Sequence, residues 1–424
     1  MTATLSSATL PSAAVLGARA FAALAGLNRF SDEPGKLTRL YLSPAHRQAA
    51  EWTKGAMEVA GLTAAIDAAG SVQGRREGRA PGLPAVLIGS HIDTVKDGGR
   101  FDGNLGVVAG ILAAQALRDA GIVLPFALEV IAFGDEETVR FPTDLSTSQA
   151  LIGGYQPFWL DGIDADGVRL RDALVTFGGE PAGIADLARK PGTLKAYLEV
   201  HIEQGPVLEA ADEAVGIVTA IAAQKRARVR VSGEAGHAGT VPMALRKDAL
   251  AAAAEMALAL EEIARGHDQA VGTVGVFRPD PGATNVVPGA VDFTIDFRAP
   301  ANETVASMDA AVQARFAEIA ARRGVGLSLT PYSHSLAVPM DEGLQEAFAA
   351  GIARTGSNLT ARRLPSGAGH DAMVMAMHCP AAMLFVRCEK GISHSPLENM
   401  SELDAGIAIR VLIETVLELA RREG

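Results

Sequence analysis

The chain has 424 residues, 48% of them hydrophobic, a net charge of −11 and only two cysteines, Cys379 and Cys388. This length exceeds one ordinary core and predicts two domains, and the composition is that of a soluble globular protein rather than a disordered one. The sequence has no Lys/Arg cluster to bind nucleic acid, no run of 18 apolar residues to span a membrane, and no CxxC spacing; two such cysteines exclude a disulfide framework and fit a reducing, cytoplasmic location.

The Ala-rich start lacks a basic beginning and is interrupted by Arg19 and Arg29, so it reads as an amphipathic helix rather than a signal peptide. Residues 84–89 form an apolar run that predicts a buried strand. A helix follows over 106–120, uncharged until Arg118, then strands over 126–133 and 194–200. Strand-helix-strand order with apolar strands predicts a central mixed sheet flanked by helices. Residues 161–191 are polar and aperiodic, a surface excursion with short helices.

Near residue 213 the character changes. Arg226, Arg228 and Arg230 alternate with Ala227, Val229 and Val231, the period of a half-exposed strand. A helix over 247–265, strands over 270–277 and 290–298, a helix over 303–323 and a strand over 326–330 complete the order β-α-β-β-α-β. That order is ferredoxin-like. The expected architecture is therefore α/β: a discontinuous catalytic domain over 1–212 and 332–424, and an inserted ferredoxin-like lid over 213–331. Helices from Asp341, after Asp371 and from Leu403, with a strand over 382–386, finish the chain.

Chemistry gathers where strands give way to loops, the place where open α/β sheets carry their sites. His91 and Asp93 end the first strand in GSHIDTV, and Asp102 follows in RFDGNLG. Glu136 and Glu137 follow another strand in GDEET. His201 lies in YLEVHIEQG and His394 in GISHSP. Imidazole with carboxylate, and no thiolate, suits a divalent ion such as zinc or manganese, with cobalt or nickel as alternatives. His91 and Asp93 share a face of an extended segment, so the Asp93 carboxylate is expected to accept the second ring N–H of His91. Asp102 can span two ions through its two oxygens. Adjacent Glu136 and Glu137 point apart, which suits one to ligation and the other to proton transfer. Each residue alone reads better as a surface or structural group; the set carries the signal. His46, His267, His334 and His378 fall outside it and read as surface or core histidines.

With GEAGHAGTVPM, NVVPG, DFR and SGAGHDAM, these motifs resemble the dinuclear-metal amidohydrolases that cleave N-carbamoyl groups. This is the allantoate amidohydrolase and N-carbamoyl-L-amino acid hydrolase family, within the aminoacylase and carboxypeptidase clan. The resemblance runs from about residue 38 to the C-terminus; LTRLYLSP and GEAGHAGT look closer to the allantoate branch. It implies two divalent ions, one held by His91, Asp102 and His201 and the other by Asp102, Glu137 and His394. Glu136 would be general base, Asp93 would orient His91, and His237 would polarise the ureido oxygen. Asn285 and Arg298 would grip a substrate carboxylate, and Gln204, Gly367, Gly369 and His370 would line the pocket. A homodimer through the lid is also implied. Two departures stand beside the ligands: Thr138 where the family usually has glycine, and the segment 142–149. A catalytically silent binding protein of the same fold is the alternative, disfavoured because Glu136 and every ligand position are intact.

Overall fold

The computed structural model describes residues 10–356 and 358–423. Its described residues divide into two compact units, one of residues 10–219, 340–356, 358–364 and 370–423 and the other of residues 220–339 and 365–369.

In chain order, the long elements of the larger unit begin with helices α1 (Ala13–Asn28) and α2 (Pro44–Val59). Strands β1 (Thr63–Ile66), β2 (Val72–Arg76) and β3 (Ala85–His91) follow, then helix α3 (Asn104–Asp119), and strands β4 (Ala127–Phe133), β5 (Leu194–Ile202) and β6 (Val215–Ile221). The smaller unit holds β7 (Ala223–Ser232), helix α4 (Ala249–Arg265), β8 (Val271–Asp280), β9 (Ala290–Ala299), helix α5 (Asn302–Arg323) and β10 (Gly326–Ser335). Helix α6 (Glu342–Thr355), strand β11 (Ala381–Val386) and helix α7 (Glu402–Arg421) return to the larger unit. Helix starts coincide with side-chain caps: Ser43 ahead of Pro44, Asp248, Asp341 and Ser401 each accept a backbone N–H of the first turn.

The main sheet runs β1-β2-β4-β3-β5-β11-β6. Its centre is parallel: β4, β3, β5 and β11 run in one direction and put their carboxyl ends on one edge. Every residue of β3 and β4 is buried, which is why both read as continuous apolar runs. Helix α3 is buried almost throughout, as its uncharged sequence predicts. The β1–β2 hairpin was not legible, because its short strands are only partly buried and mix apolar with polar residues.

The smaller unit has strand order β10-β7-β9-β8, all neighbours antiparallel, with α4 and α5 packed on its apolar face. Its limits differ from the expected 213–331. The polar turn near residue 213 precedes β6, which hydrogen-bonds to β11 and so belongs to the main sheet up to residue 219. At the other end β10 continues to Ser335.

Helices α1 and α7 touch through glycine. A Cβ on Gly17 would lie 1.9 Å from the Glu402 carbonyl oxygen, and one on Gly406 would lie 1.8 Å from that of Ala13. Only hydrogen fits at either position. Among the described residues no helix is long and apolar enough to cross a membrane.

His46, on α2, is a core histidine. It is fully buried, its Nδ1 accepts the Leu42 N–H at 3.0 Å, and its ring stacks on Phe177. Burial depresses its pKa to about 3. The folded ring therefore stays neutral where the unfolded ring, near 6.5, binds a proton. The unfolded state then gains protons as pH falls from 6.5 toward 3, and stability falls with it. Urea unfolding at pH 7 and pH 5 should show the wild type losing about 2 kcal/mol from this group. His46→Asn, which keeps the acceptor, should show a smaller pH dependence by that amount. Equal losses in both proteins would refute the assignment.

Candidate metal centre

Three neighbouring parallel strands deliver the site at their carboxyl ends. His91 is the last residue of β3, His201 lies one residue before the end of β5, and Glu136 and Glu137 follow β4. Asp102 sits in the turn leading into α3, and His394 in the loop after β11. Asp102 lies at the middle. Its Oδ1 is 3.2 Å from His201 Nε2 and 3.7 Å from His91 Nε2, while its Oδ2 is 3.2 Å from His394 Nε2. His394 Nε2 also lies 3.6 Å from Glu137 Oε2. The ligand atoms of His91, Asp102 and His201 all fall within 4.8 Å of one another, and so do those of Asp102, Glu137 and His394.

The electrostatics are those of titratable groups crowded together out of water. Burial pushes the Glu136 carboxyl well above its usual range, with His91 opposing and Glu137 adding to the rise. Burial, with Asp102 nearby, raises Glu137 to about 7. Asp102 is held well below the usual range: burial works against this, but the neighbouring imidazoles of His201, His394 and His91 prevail. Asp102 in turn raises His394 to about 9. Carboxylates crowded out of water repel one another unless positive charge enters. His201 Nε2 is buried and, although 3.2 Å from Asp102, makes no well-aligned hydrogen bond. A buried imidazole nitrogen facing a carboxylate in this way fits a metal ligand. The donor set, nitrogen and oxygen without sulfur, suits divalent ions of the zinc and manganese kind.

Groups around the ligands fix them. His91 Nδ1 lies 3.0 Å from the backbone carbonyl of Asp93 and 3.5 Å from its carboxylate. The closer partner is thus the main chain, unlike the carboxylate contact expected from the sequence. The Asp93 carboxylate instead accepts the backbone N–H groups of Glu136 and Glu137, at 3.2 and 3.1 Å. It pins the Glu-Glu turn against the end of β3.

Gln204 donates to Asp102 Oδ2 at 3.0 Å and to Ser393 Oγ at 3.2 Å, so its amide holds the Asp102 carboxylate. His370 is buried with its ring centre 4.4 Å from that of His201, and groups with His201 and Glu199. Glu398 and Ser393 were missed by sequence reasoning. Buried Glu398 accepts the N–H groups of Phe101 and Asp102, at 2.7 and 3.1 Å, and the Ser393 hydroxyl at 3.0 Å. Ser393 also lies 3.1 Å from Asp102 Oδ2. Their signal was position: Ser393 lies inside the motif that carries His394, and Glu398 two residues beyond it.

The remaining candidates belong to the smaller unit. His237 is exposed and bridges to Val286, and the carbonyl of Asn285 accepts the Ala238 N–H at 2.9 Å. This places His237 and Asn285 side by side. Arg298 donates to both carboxylate oxygens of Asp296, at 3.1 and 2.8 Å, and to the carbonyl of Gly367 at 2.5 Å. Gly369 lies two residues further along the same segment.

Residues 87–418 match the peptidase family M20/M25/M40. The chain belongs to that family. Its members work with divalent metals, and this chain is a hydrolase of C–N bonds. An N-carbamoyl-L-amino acid amidohydrolase of Geobacillus stearothermophilus is 40% identical over 96% of this chain and 100% of its own length. An allantoate deiminase of Arabidopsis thaliana is 36% identical over 95% of this chain and 82% of its own. The crystal structure of an amidase of the hydantoinase/carbamoylase family from Burkholderia multivorans has a TM-score of 0.90. It is 32% identical and covers 98% of this chain and 99% of its own.

Backbone strain also gathers here. Thr138, Gln204 and His394 all have positive φ, at 50°, 57° and 54°. Such conformations are uncommon outside glycine, and β-branched Thr138 is the least suited to one. A glycine at this position would fit without strain. Thr138→Gly is expected to raise stability by about 1 kcal/mol in urea unfolding; a loss would mean the threonine is not strained. Gly103, at φ 64°, is more constrained, because a Cβ there would lie 2.4 Å from the His91 ring. Gly103→Ala should weaken metal binding at least about tenfold in calorimetric titration, and unchanged affinity would show that His91 is not a ligand.

Proposed function

We propose that this protein hydrolyses a ureido (N-carbamoyl) group on a small carboxylate substrate, with two divalent ions per subunit. The observation that carries this reading is Asp102, whose two oxygens face two different ligand groups. His91, Asp102 and His201 would hold one ion; Asp102, Glu137 and His394 would hold the other. When bound, such ions supply Lewis acidity toward water and the carbonyl oxygen.

The protein's own groups do the rest. Glu136, at the edge of the cluster with Oε2 3.8 Å from His91 Nε2, is the general base for the attacking water. The same carboxyl then protonates the departing ammonia, and its burial-raised pKa suits it to hold that proton. Asp93 keeps Glu136 in place through the backbone of the Glu-Glu turn. His237 polarises the ureido oxygen. Asn285 and Arg298 grip the substrate carboxylate, a planar bidentate task suited to guanidinium. Gln204, Gly367, Gly369 and His370 complete the pocket. Loss of ammonia leaves a carbamate, which releases carbon dioxide. The smaller unit acts as a ferredoxin-like lid and as the surface of a homodimer, and the exposed edge strands of its sheet, β8 and β10, support that role.

Allantoate, giving ureidoglycine, is the leading substrate, read from LTRLYLSP and GEAGHAGT. An N-carbamoyl-L-amino acid is the second reading, supported by the 40% identity to the Geobacillus amidohydrolase along its whole length. Ammonia release from allantoate and from a panel of N-carbamoyl-L-amino acids, after loading with zinc or manganese, decides between them. Turnover of dipeptides or N-acyl amino acids alone would overturn the ureido reading. Glu136→Gln should lower kcat by at least about a hundredfold while metal content stays near wild type. Retained turnover would remove the general-base role.

A further inference from the structure

Arg39 is fully buried and makes four side-chain hydrogen bonds. Its Nε donates to the Ile92 carbonyl at 2.5 Å. One terminal nitrogen donates to the Leu27 and Phe30 carbonyls, at 3.2 and 3.1 Å, and the other to Asn104 Oδ1 at 2.5 Å. Its backbone is tied as well: its N–H donates to Thr94 Oγ1 at 2.9 Å and its carbonyl accepts the Thr94 N–H at 3.0 Å.

All four side-chain acceptors are neutral oxygens. Burial draws the Arg39 pKa down to about 10, with the Asp93 charge pulling the other way. A cation kept out of water without a carboxylate in contact is costly. What guanidinium alone provides is a rigid plane joining three segments. Two of them carry the metal centre. Ile92 lies between His91 and Asp93, and Asn104 opens α3 two residues after Asp102. Asn104 is dedicated to this contact, since its other side-chain atom, Nδ2, is buried without a partner.

Resting on the metal reading above, we infer that Arg39 is a positioning residue whose guanidinium sets the spacing between the β3 end and the Asp102 turn, so that His91 and Asp102 converge on one ion. Lysine cannot replace it, because a single ammonium cannot reach acceptors spread around a plane. Asn104→Asp keeps the bridge, with a carboxylate in place of the amide. Asn104→Leu removes it.

The test uses the full chain with cobalt(II), titrated by calorimetry and by visible absorption. Arg39→Lys and Asn104→Leu should weaken binding of one of the two ions ~10- to 100-fold and alter the cobalt spectrum. KM should change less than kcat. Asn104→Asp should keep cobalt affinity and spectrum close to wild type, which a general packing role would not predict. Should Arg39→Lys fail to fold, the Asn104 pair decides alone. Wild-type cobalt affinity and spectrum in Asn104→Leu, or equal losses in Asn104→Leu and Asn104→Asp, would overturn the positioning role and leave the metal reading standing. Absence of cobalt binding by the wild-type protein would remove the metal reading itself, and this inference with it.

Discussion

The burial of several carboxylates beside three imidazoles is the constraint on which this molecule turns. Asp102, Glu136 and Glu137 sit together largely out of water; Asp102 raises the proton affinity of Glu137 and Glu137 that of Glu136, while the imidazoles keep Asp102 ionised. Such a group is unfavourable for a fold left to itself. It persists because three parallel strands and two loops impose it, and because cations would relieve it. The central sheet is therefore more than a scaffold at a distance. Its parallel order puts His91, His201 and the Glu-Glu turn at one edge, and the apolar cores of β3 and β4 hold those strand ends in register.

Around the ligands the protein relies on main chain as much as on side chain. The carbonyl of Asp93 lies against the His91 ring, the Asp93 carboxylate takes two amide protons, and Glu398 takes two more from the Asp102 turn. The last two contacts hold the backbone that carries these groups, while Gln204 and Ser393 engage Asp102 Oδ2 and the Val95 N–H engages Glu137 Oε1. The left-handed conformations at Thr138, Gln204 and His394 belong to the same economy: the chain bends sharply to bring its donors inward.

Much of this was legible in the sequence, and the reasons differ by element. The buried strands and α3 announced themselves through unbroken apolar runs, and β7 through strict alternation. The hairpin of β1 and β2 did not, because four- and five-residue strands of mixed polarity give little periodicity. The boundary at residue 213 followed composition, whereas the true division follows the pairing of β6 with β11, a long-range event invisible to local pattern. The cluster was legible because imidazoles and carboxylates recurred at strand ends. Glu398 and Arg39 were not, since a lone glutamate or arginine in a loop reads as solvated until the fold buries it. Even the Asp93 contact was legible only to the level of the residue; which of its atoms faces His91 depends on a turn that spacing alone does not define.

The glycine contact between α1 and α7 has a consequence for biogenesis. It joins the first described helix to the last, so the larger unit cannot complete its core until both helices have been synthesised. Until then, the apolar faces of α1 and the early strands lack part of their cover and are open to non-native contacts.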